Sequence, residues 1–353
     1  MGLPSAYGAA ERVAGSAADK AADETSARAT VALADLRALG EAYRRAMETA
    51  AATPETRAAM EVFVAEFSAA VQRCLTEGAG DEEIAAAVAP LRDALGSSPL
   101  IRRGQRQDRG HPGDFEMIEY LLSGRNDAEP GTLAWQIDSY LQDSAITRQH
   151  RNKIAHQAGL IRRTLSGTSA DGGGRRVLLV ACGGAADLRA VEPELFAAGD
   201  LVVLNDVDAD ALEYARAALP PATALHTAVE PGNVLQALPA LERHGPYDLV
   251  LAGGLFDYLP DRYARLLIAY AMTRLCVPGG DFHFSNIAAG NPFAHLMKYL
   301  ADWPLIERTR QDVEDLVRAA APHQTARLSV GADQTGYTLL ARLTRAAAPV
   351  RSG

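Results

Sequence analysis

Two apolar runs along the chain are each followed by residues that could bind a nucleoside. The run VLLVA at 177–181 precedes Cys182, Gly183 and Gly184, and the next apolar run ends at Asp206. Glycines allow a ligand to approach the backbone closely, and a carboxylate can accept hydrogen bonds from ribose hydroxyls. The carboxyl ends of parallel strands lie at one edge of a sheet. Because Asp206 follows Gly183 by 23 residues, this order of strand, glycines, helix, strand and acid predicts a nucleoside-binding crevice.

Polar side chains elsewhere could act on a ligand in that crevice. Asp114, in the segment HPGDFEMIEYLL, is either the N-cap of a helix or an acceptor for a ligand ammonium. Tyr120, Tyr140 and Tyr258 could each place an aromatic face near a ligand cation. On the last predicted helix of the first half, Asn152 points away from the apolar stripe, so it is either a surface residue or a group offered to the crevice.

The histidines favour a structural reading. His150 lies in the apolar stripe of the same helix, which predicts a residue at the edge of the core, and Arg151 borders that stripe. His283 alternates with two phenylalanines in a predicted strand, which indicates a buried histidine. No spacing of histidines along the chain is typical of metal ligands, so no metal is expected.

The first half of the chain has the periodicity of helices. Residues 31–166 are predicted to form a helical N-terminal domain that supplies part of a lid over the ligand, and residues 1–30 form either an amphipathic helix or a flexible tail. Thr53 and Pro54 are the N-cap and first residue expected of one helix. Asp81 is expected to cap the next helix.

A loop is predicted at 101–114, where four arginines cluster. Such a cluster is either a solvated surface turn or a clamp for an anion. The four residues are Arg102, Arg103, Arg106 and Arg109.

A second domain is predicted at 175–346, after the linker-like segment DGGGRR at 171–176. Apolar runs of strand length alternate there with helical patterns, which indicates an α/β fold with a parallel sheet covered by helices on both faces. The segment 222–229 is among the predicted strands. The last two, at 325–330 and 337–344, are expected to close the edge of the sheet as an antiparallel hairpin.

Composition excludes several classes of protein. The 353 residues are 48% hydrophobic and 22% charged, as in globular enzymes, and the net charge of −9 disfavours nucleic acid as a partner. No apolar run has the length of a membrane helix. The three cysteines lie too far apart for a metal or redox motif, so we expect a cytoplasmic protein that acts on a small molecule. The sequence leaves the oligomeric state open.

The motifs of the second domain resemble those of class I S-adenosylmethionine (SAM)-dependent methyltransferases. The segments VLLVACGGAADL, LVVLNDVDADALEYA, YDLVLAGGLFDYLPD and LCVPGGDFHFSN carry this resemblance. It implies a Rossmann-like, seven-stranded mixed sheet behind the helical N-terminal domain. It also implies that the methionine end of SAM lies over Gly183, its ribose on Asp206, and its adenine near Asn233 or Glu230. The residues expected to contact SAM are Cys182, Gly183, Gly184, Asp206, Asp208, Asn233, Gly253 and Arg151.

This chain departs from the usual glycine motif of that family. Leu179 stands where an acidic residue is usual, and Ala181 and Ala185 replace the flanking glycines. A dinucleotide pyrophosphate needs closer backbone contact than SAM, so the alanines count more strongly against NAD.

Two segments in the helical half of the chain resemble a smaller group of proteins within this class. The segments GHPGDFEMIEYLL and RQHRNKIAHQA resemble proteins of extracellular-factor 3-hydroxypalmitate methyl ester biosynthesis, and beside them enzymes that cyclise SAM to 1-aminocyclopropane-1-carboxylate (ACC) or azetidine-2-carboxylate. The resemblance implies cyclisation of SAM with release of methylthioadenosine. Methyl transfer to a small acceptor and a nucleoside-binding regulator without turnover stay open. The residues expected in catalysis are Asp114, Tyr120, Asn152 and Tyr258.

Overall fold

A computed structural model describes residues 7–49, 54–167 and 173–347 of the chain. The expected cap Thr53, the first residues of the predicted tail and part of the DGGGRR segment lie outside these ranges. The helices are α1 (Tyr7–Thr49), α2 (Pro54–Thr76), α3 (Asp81–Leu95), α4 (Pro99–Arg106), α5 (Phe115–Ser123), α6 (Leu133–Asp143), α7 (Ala145–Leu165), α8 (Ala186–Arg189), α9 (Ala209–Ala218), α10 (Pro221–Ala224), α11 (Val234–His244), α12 (Asp261–Tyr270), α13 (Ala294–Leu300) and α14 (Arg310–Ala320). The strands are β1 (Arg176–Val180), β2 (Leu201–Asp206), β3 (Thr227–Pro231), β4 (Tyr247–Ala252), β5 (Cys276–Ile287), β6 (Thr325–Ala332) and β7 (Thr338–Arg345).

Contacts along the chain divide it into two compact units. One consists of residues 1–106, 126–140 and 292–304, and the other of residues 107–125, 141–291 and 305–353. Helices α5 and α7 therefore group with the sheet, although the sequence predicted them within a helical domain at 31–166. The reason is that their apolar and polar side chains find partners on the sheet unit, which periodicity along one segment does not reveal.

Helix α1 begins at Tyr7, so the helical alternative holds for residues 7–30. The helical unit differs from the sequence-based expectation in two places. Gly80, rather than Asp81, occupies the N-cap of α3, and its N–H donates to Glu83 over 2.8 Å. Residues expected in a loop form α4, because Ser98 and Asp138 accept hydrogen bonds from the N–H groups that begin it.

The second unit contains a seven-stranded sheet in the order β3-β2-β1-β4-β5-β7-β6. Strands β1 to β5 pair in parallel, whereas β7 is antiparallel to both β5 and β6. This order and the closing hairpin are those of the class I methyltransferase fold, as the sequence predicted. Within the strand predicted at 222–229, residues 222–224 belong to α10 instead, because Pro220 and Pro221 before them cannot donate ladder hydrogen bonds.

The two faces of this sheet are covered by different helices. We call them the α12 face, covered by α11, α12 and α14, and the α7 face, covered by α7, α8 and α9. The strand order changes direction between β1 and β4, and ligands of such sheets bind beyond the carboxyl ends of the strands at that point.

Candidate functional site

The glycine turn after β1 and the acid at the end of β2 meet, as their spacing predicted. The N–H of Gly183 donates to Asp206 Oδ2 over 2.8 Å, and the N–H of Asp208 donates to Asp206 Oδ1 over 2.9 Å. Asp206 is nearly buried. Each of its oxygens still has a lone pair for a further donor, so a hydroxyl pair at this position could bind the carboxylate.

The two alanines that replace glycines in this turn have left-handed backbone conformations. Their φ angles are 49° for Ala181 and 50° for Ala185, and Gly183 between them has a φ of 50°. A residue with a Cβ atom pays roughly 1–2 kcal/mol for this conformation. Such strain accumulates at sites where the backbone must be held for function, so the turn keeps the glycine-type geometry despite its altered sequence.

Helix α5 lies over the glycine turn. A Cβ atom at Gly183 would lie 3.5 Å from the Cβ of Phe115, and one at Gly184 would lie too close to the carboxylate of Glu119. Glu119 also pairs with Arg189 and accepts a hydrogen bond of 3.0 Å from the hydroxyl of Tyr214. A side chain at position 184 would therefore have to displace Glu119, whereas at position 183 it is the left-handed φ of 50°, and not lack of space, that favours glycine.

Asp114 begins α5 as its N-cap. Its Oδ1 accepts from the N–H of Met117 over 2.8 Å, as the capping alternative predicted. Tyr120, on the same helix, is buried. The role of either residue in catalysis stays a prediction.

Arg109 joins the segment before α5 to the first turn of α9. Its guanidinium pairs with Asp208 over 2.8 Å and with Asp210 over 2.6 Å, and it lies 4.8 Å from the centroid of the Phe115 ring. The hydrogen bond from Arg109 lowers the pKa of Asp208. Asp208 also caps α9, so this carboxylate is already engaged with partners from the protein.

The residues expected near the adenine have partners of their own. Asn233 is exposed and caps α11, where its Oδ1 accepts from the N–H of Leu235 over 3.0 Å. Glu230 Oε1 lies 2.6 Å from His244 Nε2. The Glu230 carboxylate is therefore engaged, whereas the side-chain NH2 group of the exposed Asn233 has room for a ligand.

Helix α7 carries Arg151 and Asn152, and both have partners in the sheet unit. Arg151 donates to the backbone oxygens of Leu121 and Gln142, which fastens the end of α5. Asn152 Nδ2 donates to Asp333 Oδ2 over 2.8 Å. Asn152 is thus directed toward the loop between β6 and β7.

Sequence reasoning missed Lys153 and Gln157 of α7, whose side chains lie beside the glycines that follow β4. A Cβ atom at Gly253 would collide with the Gln157 amide, and one at Gly254 would lie 3.3 Å from Lys153 Nζ. Both side chains are buried. The signal available in the sequence was that polar residues interrupt the apolar stripe of α7, but periodicity alone does not show what such residues face.

Two carboxyl groups, Asp187 after β1 and Asp257 after β4, are buried. Burial raises the pKa of Asp187 to about 6 and that of Asp257, near Lys153, also to about 6. Burial, with the charges of Asp206 and Asp187, raises the pKa of the Cys182 thiol. Cys182 is therefore a protonated thiol rather than a nucleophile.

Tyr258 follows β4 and is half-exposed, with its ring centroid 5.6 Å from that of His111.

No group of three or more His, Cys, Asp or Glu side chains suited to a metal occurs in the described parts of the chain. Nor does any helix there combine the length and the apolar character needed to cross a bilayer.

Comparison with known proteins defines the fold. No protein-family model matches the chain, and no curated protein matches it. A protein from Bordetella parapertussis described as a possible exported protein is similar with a TM-score of 0.52 and 17% identity, over 66% of this chain and 80% of that one. At this identity the likeness shows a shared fold.

Two methyltransferase structures are more distant. Magnesium protoporphyrin IX methyltransferase from Synechocystis PCC 6803 with bound S-adenosylhomocysteine has a TM-score of 0.42 and 14% identity, over 65% of this chain and 93% of that one. The O-methyltransferase TomG from Streptomyces achromogenes in complex with SAM has a TM-score of 0.38 and 18% identity, over 56% and 79%. The strand order of the sheet therefore carries the assignment to the class I methyltransferase fold.

Proposed function

We propose that this chain is a SAM-dependent enzyme. The observation that carries the proposal is the hydrogen bond between Gly183 N and Asp206 Oδ2, which fixes a carboxylate beside a glycine turn at the switch point of the sheet. In this proposal Asp206 accepts from the ribose hydroxyls, and the amino-acid end of SAM lies over the turn.

The surrounding residues fit a ligand with positive charge. Asp187 is buried, accepts a hydrogen bond from the N–H of Leu188, and has no basic side chain within ion-pair distance in the described residues. A buried carboxyl without a cationic partner is costly unless it is neutral or finds a cation. The α-ammonium of SAM is such a cation, and the half-exposed ring of Tyr258 is a further candidate to face the sulfonium.

We further propose that SAM is the substrate of an intramolecular cyclisation to ACC or azetidine-2-carboxylate, for specialised metabolism. A methyltransferase needs room for an acceptor in line with the methyl group, whereas a cyclase must fold the aminobutyrate chain of SAM upon itself. The buried side chains of Gln157 and Lys153 take up the space beside Gly253 and Gly254. Because these side chains occupy space that an acceptor would need, the packing at the end of β4 supports cyclisation. Asp114, Tyr120 and Asn152 remain proposed members of the site.

Methyl transfer to a small acceptor is the second candidate. The half-exposed Tyr258 beside His111 favours it, because partly exposed aromatic rings offer a surface on which an acceptor could pack.

Incubation with SAM alone separates these reactions. Cyclisation predicts methylthioadenosine and a C4 amino acid by mass spectrometry, and comparison with standards of the two ring amino acids identifies the product. S-adenosylhomocysteine that forms only with an added acceptor would establish methyl transfer instead. Binding of SAM without turnover of any kind would indicate a regulator.

Asp206→Ala tests the binding site itself. Loss of two hydrogen bonds to a charged group is expected to weaken SAM binding by about 100-fold, or roughly 3 kcal/mol. Isothermal calorimetry with SAM and with methylthioadenosine measures the effect, and Glu213→Ala, an exposed acid on α9, is the control. Unchanged affinity in the Asp206 variant would place the ligand elsewhere.

A further inference from the structure

Lys153 is a buried lysine that forms no hydrogen bond or ion pair with another described residue. The residue is 5% exposed and lies in the middle of α7. Two carboxylates act on its Nζ only through space, without a direct ion pair. Buried lysines elsewhere in proteins are almost always paired, so a side chain held in this way needs an explanation.

Charged and titratable groups face Lys153 from three elements. Asp257, in the turn after β4, and Asp333, in the loop before β7, both act on it through space. Each carboxylate is held in place by other donors: Asp257 by the N–H of Ile287 over 2.6 Å, and Asp333 by Asn152 and by N–H groups of its own loop. On α7 itself, His150 is the neighbouring titratable group.

The position of Nζ relates Lys153 to the proposed reaction. A Cβ atom at Gly254 would lie 3.3 Å from it, so the amine lies beside the glycines at the carboxyl end of β4. That edge of the sheet borders the switch point where the ligand is proposed to bind. Burial is the main cause that lowers the pKa of Lys153, so the neutral amine is accessible at lower pH than for a solvated lysine.

We propose that Lys153 is the proton acceptor of the reaction, an inference that rests on the proposed function. The neutral amine takes a proton from the α-ammonium of SAM and becomes an ammonium near Asp257 and Asp333. The lone pair freed on the substrate nitrogen attacks Cγ as the Cγ–S bond breaks, and the electron pair of that bond stays on sulfur in methylthioadenosine. The product is then the protonated four-membered ring.

The chemistry of the proton favours the ammonium over the Cα position. Proton transfer is efficient when donor and acceptor have similar pKa values. A substrate ammonium and a lysine amine are matched in this sense, whereas the Cα–H bond of an amino acid is far less acidic than a lysine ammonium. A lysine base therefore favours attack by the substrate nitrogen, which gives azetidine-2-carboxylate, over ring closure at Cα.

Substitution by Arg and by Met distinguishes a base from an anion-binding residue. Both Lys153→Arg and Lys153→Met are expected to lower kcat by at least about 100-fold while SAM affinity by calorimetry changes less than tenfold, because neither side chain accepts a proton near neutral pH. If Lys153 merely held a carboxylate, Arg would preserve kcat and Met would weaken SAM binding. Lys298→Met, an exposed lysine paired with Asp81, is the control.

The pH profile gives a second readout. The wild-type kcat is expected to rise with pH as Lys153 loses its proton, and residual activity in the Met variant should lack this rise. Asp257→Asn must leave a rising limb in place, since Asp257 titrates in a lower range. A rising limb that persists in Lys153→Met would overturn the proposal.

A measurement without turnover completes the test. Because the pKa of Lys153 is lowered on folding, the unfolded chain binds the additional proton, and the folded protein loses stability as pH falls from about 10. Lys153→Met is therefore expected to melt at a higher temperature than wild type at pH 7, with a smaller difference at pH 10. An unchanged difference would show that Lys153 is not a suppressed base. A wild-type protein that binds SAM without product refutes the proposed function, whereas an active Lys153→Arg protein refutes only this inference.

Discussion

The two faces of the central sheet differ in the polarity of the side chains that β5 buries there. On the α12 face, β5 contributes Phe282 and Phe284, and the ring of Phe284 stacks on Phe256 with a centroid separation of 4.0 Å. On the α7 face, the same strand contributes His283 and Ser285, which are completely buried. Neither imidazole nitrogen of His283 has a hydrogen-bond partner in the described part of the chain, and the same holds for the Ser285 hydroxyl.

Helix α7 explains the difference. Its last turns pack Leu160, Ile161 and Leu165 against the sheet, whereas its middle turns present Lys153 and Gln157. An apolar face gains stability from burial, while buried polar groups without partners reduce it. Apolar burial therefore stabilises the whole α12 face, whereas the polar part of the α7 face reduces stability, a cost that is typical of regions held for function.

Phe256→Ala is the strongest test of this comparison. Removing a fully buried ring from the α12 face leaves a cavity, and we expect a loss of about 4 kcal/mol in the free energy of unfolding. Urea denaturation measures it, with Leu266→Ala, a half-exposed residue on α12, as the control. A loss below about 1 kcal/mol would mean that this face does not dominate stability.

His283→Leu probes the opposite face. Burial lowers the pKa of His283 to about 3, whereas an unfolded histidine has a pKa of 6.5. The unfolded chain therefore takes up a proton that the folded chain refuses, so this histidine removes stability as pH falls below 6.5. Between pH 8 and pH 5 the loss amounts to about 2 kcal/mol.

The Leu variant should lack that loss. Its stability relative to wild type is expected to increase by about 2 kcal/mol on going from pH 8 to pH 5, measured by urea denaturation at both values. The raised pKa values of Asp187 and Asp257 act in the opposite direction, but they are common to both proteins and cancel in the difference. A difference independent of pH would indicate that His283 is solvated or paired in solution.

Ser285→Ala should give the smallest effect. Because the buried hydroxyl lacks a partner among the described residues, its removal is expected to change the free energy of unfolding by less than about 1 kcal/mol, and toward greater stability. Thermal denaturation measures this. A clear loss of stability would reveal a water or side-chain partner and weaken the contrast between the two faces.

Sequence reasoning predicted the sheet well because its strands are short apolar runs with turns between them. It also predicted that Gly183 and Asp206 meet, since both directly follow parallel strands. It misplaced α4 as a loop, because the hydrogen bonds from Ser98 and Asp138 that begin the helix depend on tertiary contact. It did not show that Asp208 and Arg151, which it predicts to contact the ligand, also have partners from distant segments.

The sequence by itself determined the order of strands and helices and the position of the glycine turn and its acid, because these depend on local periodicity and on the edge at which parallel strands end. The tertiary structure alone decided that Lys153, Asp257 and Asp333 approach one another. Their segments lie far apart in the chain, and the charge state of each depends on burial, which is a property of the packed protein.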